Sequence, residues 1–293
     1  MAEPDGLRSG YGLVSVRWLA RHLGDSGVRV LDVRTAERCT AGPDGVERVQ
    51  RLWNPAEYEA AHIPGALTVA FEEVAPDDGV AARPPDFQRF RSLACRLGIS
   101  PHTHVVIYDH QGSTVATRLW WTFRAFGHTR VSVLDGGWQQ WLAEGLPVRG
   151  RHEAVQPALW TGEPVAGWLV ELDEVIRRVR EGGATLVDTR DPDPFAAGHI
   201  PGALNVPAAQ LRGPGGQRFR PLHELETLFA DRGVPKDRYH PIIAYCRTGV
   251  SATAALLHLD RLGYRRLSLF AGSWNEWARR HAATTPTHAW PQG

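Results

Sequence analysis

The feature that most constrains the fold of this chain is an internal repeat. AAHIPGAL at residues 60–67 returns as AGHIPGAL at residues 197–204, so His62 and His199 lie 137 positions apart. Three further pairs of segments keep the same order along the chain: LDVR at 31–34 with VDTR at 187–190, VVIYDHQG at 105–112 with IIAYCRTG at 242–249, and LDGGWQQW at 134–141 with FAGSWNEW at 270–277. Four matches in one order indicate a duplicated domain. A chain of 293 residues is long enough for two domains, each with its own core.

Each copy of the repeat alternates predicted strands with predicted helices. In the first copy VRVLDVR and HVVIYD have the composition of buried strands, HIPGA is a turn, and a helix leads to a third short strand, RVSVLD. This alternation predicts the α/β fold class, with a parallel sheet flanked by helices in each domain. We place the N-terminal domain at residues 10–148, an ordered linker at 149–167 and the C-terminal domain at 168–285.

The composition argues against several classes of partner. Lys and Arg total 33 and Asp and Glu total 32, with no run of five like charges, so we expect no binding to nucleic acid or anionic lipid. No apolar stretch has the roughly 18 residues that a membrane span needs, and the first residues do not resemble a signal peptide. A cytoplasmic protein is therefore expected. The three cysteines show no disulfide framework, and no metal-ligand spacing occurs, so no metal site is predicted.

The two copies differ where the second strand of each ends. The first copy continues with Asp109, and the second with Cys246 followed by RTGVSA and a predicted helix. Ligands of open α/β sheets bind beyond the carboxyl ends of the strands, which is where this loop lies. Backbone N–H groups at a helix N-terminus favour an anion and lower a thiol pKa, so Cys246 is predicted to be a catalytic nucleophile. The candidate substrate-binding residues are the next five: Arg247, Thr248, Gly249, Val250 and Ser251.

Other polar residues of the repeat are interpreted as structural, because both copies contain them. Asp188 and Arg190 have counterparts in Asp32 and Arg34, and we expect hydrogen bonds or ion pairs at the strand ends. His62 and His199 are interpreted as turn residues in the same way. The remaining thiols receive no catalytic interpretation: Cys39 is predicted in a polar loop and Cys95 in a helix.

On these residues the chain resembles the tandem-domain rhodanese family, the thiosulfate and 3-mercaptopyruvate sulfurtransferases. The resemblance rests on HIPGA and D-x-R in both halves, CRTGVSA in the second half alone, and the paired GGW and GSW segments. It implies a catalytic C-terminal domain, an inactive N-terminal domain with Asp109 in place of cysteine, and an active site between them. It also implies double displacement through a Cys246 persulfide, with no cofactor, from a small-molecule sulfur donor to a thiophile such as cyanide.

The resemblance extends to the choice of donor. CRTGVSA is closer to the thiosulfate form, CR-x-GV-[ST]-A, than to the mercaptopyruvate form, CGSGVTA. Two positions depart from the thiosulfate pattern: Thr248 stands where Lys is usual, and Pro194 precedes Phe195 where Arg is usual. Thiosulfate is the predicted donor, with 3-mercaptopyruvate as the alternative. A persulfide carrier or binding module for a protein partner is a third hypothesis.

A phosphatase is a further enzyme class with a cysteine and arginine loop. It requires Cys-x5-Arg, because the arginine binds the phosphate oxygens through two hydrogen bonds. The corresponding position of this chain is Ala252, which has no charge to offer. Phosphatase activity is therefore not expected.

Overall fold

The computed structural model describes residues 12–41, 47–76, 81–111 and 114–282. Positions 10–11 and 283–285, at the outer ends of the two predicted domains, lie outside the described residues. So does Gly112, the counterpart of Gly249 in the repeat.

The described residues of the N-terminal domain form seven strands and six helices. Its strands are β1 (Leu13–Val14), β2 (Val28–Asp32), β3 (Thr35–Ala41), β4 (Glu47–Trp53), β5 (Leu67–Thr68), β6 (His104–Tyr108) and β7 (Val131–Leu134). Its helices are α1 (Val16–His22), α2 (Pro55–Ala60), α3 (Phe71–Val74), α4 (Phe87–Arg96), α5 (Val115–Ala125) and α6 (Gly137–Ala143).

The C-terminal domain repeats the same plan without a hairpin. Its strands are β8 (Leu169–Val170), β9 (Thr185–Asp188), β10 (Leu204–Asn205), β11 (Ile242–Tyr245) and β12 (Leu267–Phe270). Its helices are α7 (Leu172–Glu181), α8 (Pro192–Ala197), α9 (Leu222–Asp231), α10 (Ala252–Arg261) and α11 (Ser273–Ala282), with a short 3₁₀ helix at Ala208–Leu211. Among the described residues, no helix is both long and apolar enough to cross a membrane.

Both five-stranded sheets are parallel and have equivalent strand orders. The first sheet is ordered β5-β2-β6-β7-β1 and the second β10-β9-β11-β12-β8. This arrangement confirms the predicted α/β class.

The central strands of the two sheets, β6 and β11, end immediately before Asp109 and Cys246. From β9 the chain continues to β10, which lies on one side of β11 in the sheet. From β11 it continues to β12, which lies on the other side. The direction of winding therefore reverses between β9 and β11. Crevices of open α/β sheets that bind ligands lie at such points.

A hairpin in the N-terminal domain has no counterpart in the second copy. Strands β3 and β4 pair antiparallel from Thr35 opposite Trp53 to Ala41 opposite Glu47. The predicted polar loop around Cys39 is therefore wrong, since this residue lies within β3. The segment is rich in charged residues and lacks the apolar run that identified the other strands, because its strands pair with each other outside the main sheet. Cys95 lies in α4.

The hydrophobic core is continuous between the domains. One cluster of buried residues includes Leu119 of α5, Leu256 of α10 and Cys246 itself. Helices α5 and α10 are equivalent in the repeat and meet at the interface, where the hydroxyls of Thr117 and Thr253 are 2.9 Å apart. The interface thus brings the loop that follows Cys246 in one domain against the other domain.

The segment assigned as the linker is held on the N-terminal domain by a buried tryptophan. Trp160 is fully buried and lies edge-on to Phe90, with ring centroids 5.4 Å apart. Backbone hydrogen bonds from Ala158 to Cys95 (3.0 Å) and from Val165 to Ala125 (2.8 Å) fix the segment on either side. Leu159, next to Trp160, is 68% exposed.

Replacement of Trp160 by alanine is expected to destabilise the protein by about 3–5 kcal/mol, because the large side chain leaves a cavity against α4. Chemical denaturation followed by circular dichroism measures the change in the free energy of unfolding. Leu159→Ala is the matched control, and its exposed side chain predicts a change within about 0.5 kcal/mol. Equal effects of the two substitutions would contradict an anchoring role for Trp160.

Candidate active site

Cys246 lies at the carboxyl end of the central strand of the second sheet, immediately before the loop that leads into α10. Its side chain is 3% exposed. The backbone carbonyls of Cys246 and Arg247 accept hydrogen bonds from the N–H groups of Trp274 (3.0 Å) and Asn275 (3.1 Å) on α11. The loop is therefore fixed from the next helix before any ligand binds.

Hydrogen-bond donors of the loop converge on the sulfur of Cys246. The N–H of Gly249 lies 3.2 Å from Sγ. The Ser251 hydroxyl and the N–H groups of Ala252 and Thr248 also donate to it. Burial raises the pKa of the Cys246 thiol, but these hydrogen bonds outweigh it and lower the pKa below its ordinary value. We call this set of donors the sulfur cradle; it favours the thiolate, which is the reactive form.

The sulfur cradle depends on glycine at position 249. Gly249 has φ +87°, in the left-handed region that other residues rarely adopt. A Cβ at this position would lie 2.5 Å from the backbone oxygen of Ala271. Both the conformation and the close approach exclude a side chain, so the loop can curl around Sγ only with glycine here.

The N-terminal domain builds a corresponding cradle around a carboxylate. The Asp109 carboxylate accepts hydrogen bonds from the N–H groups of Gln111 (3.0 Å), Thr114, Val115 and Ala116 (each 3.1 Å). The last two are the first residues of α5, as Ala252 is of α10. The duplicated loop is thus an anion-binding device in both domains, with oxygen as the acceptor in one and sulfur in the other.

The side chain of Ser273 holds the backbone of Cys246 through a hydrogen bond. Its hydroxyl accepts the N–H of Cys246 at 3.2 Å and donates to the carbonyl of Phe270 at 2.9 Å. The residue has φ +54°, which Gly137 matches with φ +55° at the equivalent position of the first domain. A serine in this conformation carries a backbone cost of order 1 kcal/mol, which is offset by fixing the backbone of Cys246.

Asp188 and Arg190 form a buried ion pair at the end of the neighbouring strand. Arg190 Nη2 lies 2.7 Å from Asp188 Oδ2 and donates to the carbonyl of Gly198, also at 2.7 Å. Its guanidinium lies over the ring of Trp274, 4.5 Å from the centroid. In the first domain Arg34 makes the corresponding contacts with Asp32, Ala61 and Trp138. These pairs join strand, turn and last helix in both copies.

A cavity of about 450 Å³ lies at the domain boundary beside the cysteine loop. It is bounded by residues that follow β9, β10 and β11, with one residue from the N-terminal domain. The lining residues are Thr114, Thr189, Arg190, Asp191, Pro194, Ala208, Ala209, Arg212, Gly216, Phe219, Arg247, Ser251 and Ala254. We call this space the interdomain cavity. Its wall includes Ser251, a member of the sulfur cradle, and Arg247, the residue next to Cys246.

Two arginines supply positive charge to the interdomain cavity. Arg247 is exposed, and its guanidinium forms no ion pair with any described residue. Arg212 follows the 3₁₀ helix and donates through Nη1 to Gln111 of the N-terminal domain and to the Gly216 carbonyl. Burial lowers the pKa of Arg212, and the Asp109 carboxylate opposes that shift. Asp191 adds one negative charge to the same wall.

The structure brings the predicted residues together in two groups. Thr248, Gly249 and Ser251 surround the sulfur, and Arg247 faces the interdomain cavity, whereas Val250 is buried in the core. Three residues near the site were missed: Arg212, Ala82 and Arg118. Arg212 lies outside the repeated motifs, and Ala82 carries no chemistry in its side chain. Arg118 offered a signal, because it is a charge in an apolar helical segment where the second copy has Ala255.

An α/β domain with a cysteine sulfur that accepts backbone hydrogen bonds at a helix N-terminus is typical of proteins that react through a cysteine nucleophile. The rhodanese-like domain family matches residues 15–144 and 171–280. Thiosulfate sulfurtransferase of Rattus norvegicus is 34% identical over 286 residues, which cover 92% of each chain. 3-Mercaptopyruvate sulfurtransferase of the same species is 33% identical over 254 residues, 81% of this chain and 82% of that one.

A solved structure agrees with these matches. SseA from Escherichia coli, described as a 3-mercaptopyruvate sulfotransferase, superposes with a TM-score of 0.75 and 30% identity over 90% of this chain and 99% of its own. This chain therefore belongs to the tandem-domain rhodanese family and is a sulfurtransferase.

Ser251→Ala is expected to raise the pKa of the Cys246 thiol by about one unit, because a hydrogen bond to a charged group is lost. The rate of Cys246 alkylation by iodoacetamide as a function of pH, followed by peptide mass spectrometry, measures this pKa. Below the pKa the variant should react more slowly than the wild type. Ser268→Ala is the control, since its hydroxyl donates to the Gly167 carbonyl. Identical pH profiles for Ser251→Ala and the wild type would show that the hydroxyl does not stabilise the thiolate.

Proposed function

We propose that this sulfurtransferase moves the outer sulfur of thiosulfate to a small thiophile such as cyanide through a persulfide on Cys246. The observation that carries this proposal is the sulfur cradle. Its donors surround one buried sulfur and lower its pKa, so they favour a thiolate before the reaction and a negatively charged persulfide after the first step. No cofactor enters the proposed reaction.

In the first step the Cys246 thiolate attacks the outer sulfur of thiosulfate. A new S–S bond forms between Sγ and that sulfur, and the original S–S bond of the donor breaks. The bonding electron pair leaves with sulfite, so no oxidant or proton is required. The terminal persulfide sulfur carries the negative charge, and the N–H donors at the start of α10 are placed to stabilise it.

In the second step the acceptor attacks the terminal sulfur of the persulfide. With cyanide, a carbon–sulfur bond forms, the persulfide S–S bond breaks, and thiocyanate leaves. The electron pair returns to Sγ and restores the thiolate within the same hydrogen bonds. The two half-reactions therefore use one site and need no rearrangement of the loop.

The charge of the interdomain cavity supports an anionic donor. Arg247 lies beside the cysteine and has no carboxylate partner among the described residues. Arg212 is the second cation, and its described hydrogen bonds use Nη1, which leaves Nε and Nη2 as further donors. It offers the charge that Thr248 and Pro194 do not provide. 3-Mercaptopyruvate is the second candidate, and it carries one negative charge, on its carboxylate. It matches a site in which Thr248 stands in place of a cation, because such a site has fewer positive charges at the cysteine.

Steady-state formation of thiocyanate with thiosulfate and cyanide tests the donor and the nucleophile together. We expect turnover by the wild type and loss of turnover, by at least three orders of magnitude, in Cys246→Ser, because the serine hydroxyl is not ionised in the cradle. Pyruvate formation with 3-mercaptopyruvate provides the comparison between donors. A higher kcat/KM with 3-mercaptopyruvate would reject thiosulfate as the preferred donor.

Intact-mass measurement after donor exposure separates an enzyme from a carrier. The proposed reaction predicts a gain of one sulfur atom that cyanide removes. Retention of that sulfur in the presence of cyanide, without turnover, would support a persulfide carrier for a protein partner. Unchanged turnover in Cys246→Ser would overturn the role of this cysteine.

Arg212→Gln is expected to raise the KM for thiosulfate about tenfold with a smaller change in kcat, because a charge-assisted contact to the donor is lost. The KM for cyanide at saturating donor should stay close to that of the wild type. Arg218→Gln is the matched control: it lies in the same segment but bonds to Asp135, 3.3 Å away, and does not line the cavity. If both substitutions changed the KM for thiosulfate equally, Arg212 would have no special role in donor binding.

A further inference from the structure

Arg118 is a fully buried cation with no acidic partner among the described residues. It belongs to α5 of the N-terminal domain and lies beneath the cysteine loop of the C-terminal domain. A buried charge without a counter-ion carries a large free-energy penalty, because burial removes it from water. A nearby anion would reduce this penalty by pairing with the guanidinium.

The hydrogen bonds of Arg118 connect it to the loop that surrounds the Cys246 sulfur. Nη1 donates to the carbonyl of Gly249 at 3.0 Å, and Nη2 to the carbonyl of Ala82 at 2.8 Å. Nε is buried and has no hydrogen-bond partner. Burial lowers the pKa of Arg118 to about 9, and the negative charge of Cys246 acts in the opposite direction. The guanidinium therefore remains charged at neutral pH.

The N-terminal domain holds both peptide groups that flank Gly249. Ala82 N–H donates to the Thr248 carbonyl at 2.9 Å, and the N–H of the same peptide group donates to Cys246 Sγ at 3.2 Å. Arg118 holds the next carbonyl, that of Gly249. The bond from Ala82 and the bond to the sulfur lie on one peptide group and polarise one another, so the Ala82 contact strengthens the bond to the sulfur, while Arg118 brings its positive charge to the adjoining peptide group.

Other charged groups around the cysteine loop are exposed or already paired. Arg247, on the loop itself, is exposed. Asp188 pairs with Arg190 at the end of β9. Glu276 of α11 pairs with Arg83, 2.9 Å away. Among the described residues, Arg118 is thus the buried cation at the loop whose charge no carboxylate neutralises.

We infer that Arg118 is a positioning residue from the N-terminal domain whose charge stabilises the Cys246 thiolate, and the persulfide after it, through the Gly249 segment. The inference rests on the proposed function only in taking Cys246 as the reacting thiol. It assigns a part in the chemistry to the domain that has Asp109 at the position of the cysteine.

The test is the pH dependence of Cys246 alkylation by iodoacetamide in the full chain, quantified on the Cys246 peptide without any sulfur donor. Arg118→Met should raise the thiol pKa by at least about one unit, which lowers the alkylation rate about tenfold at a pH below both values. Arg118→Lys keeps the charge and should retain a thiol pKa closer to that of the wild type. Circular dichroism establishes that each variant is folded.

Arg124→Met is the matched control. Arg124 lies on the same helix and spans the same interface through an ion pair with Asp260, 3.0 Å away. Its substitution removes an interdomain ion pair without removing the cation at the loop, so the thiol pKa should not change. An equal rise in Arg118→Met and Arg124→Met would show that domain contact, rather than the charge of Arg118, lowers the pKa.

Two results would overturn the inference. One is a folded Arg118→Met with the thiol pKa of the wild type, which would leave the residue a purely structural role. If Arg118→Met does not fold, Arg118→Lys decides: a rise of more than about one unit despite the retained charge contradicts a counter-ion. Because alkylation needs no donor, absence of thiosulfate turnover would reject the proposed function alone and leave this test standing.

Discussion

Both domains depend on the convergence of backbone N–H groups on one acceptor at the end of their central strand. In the N-terminal domain N–H groups of the described residues Gln111, Thr114, Val115 and Ala116 hold the Asp109 carboxylate, and in the C-terminal domain the corresponding loop holds the Cys246 sulfur. The donors at a helix N-terminus must be satisfied, and a negative charge satisfies them best. With aspartate in place of cysteine, the loop of the first copy still surrounds an anion. The same physical requirement shapes the loops of both copies.

The duplication also explains why a domain without a nucleophile remains part of the site. Helices α5 and α10 begin at the two anion-binding loops and pack against each other, so the interface necessarily lies beside both loops. Ala82 and Arg118 reach the cysteine loop from this interface, and Gln111 reaches Arg212. The N-terminal domain thus fixes the cysteine loop through Ala82 and Arg118 and fixes the cavity wall through Gln111.

The sequence predicted those features that repetition or local chemistry makes visible. Paired motifs identified two domains and the α/β class, and the contrast between Asp109 and Cys246 located the loop. The hairpin of β3 and β4 escaped prediction because its strands are charged and pair with each other, which leaves no apolar pattern. Arg212 could not be found, since its approach to Gln111 depends on how the two domains meet. Arg118 was detectable in principle as a charged residue at the position where the second copy has Ala255. The loop that it contacts, however, depends on how the two domains meet.

The proposed reaction brings an anionic donor to an anionic nucleophile, and the placement of the arginines addresses this difficulty. Arg118 lies inside the fold, where it lowers the cost of the thiolate without projecting into the interdomain cavity. Arg247 and Arg212 line the cavity, where a donor can reach them. A single cation placed between thiolate and donor would have to serve both anions and would block the attack. On the proposed function, separate inner and outer cations stabilise the nucleophile and attract the donor at the same time, and the path between the two sulfurs remains open.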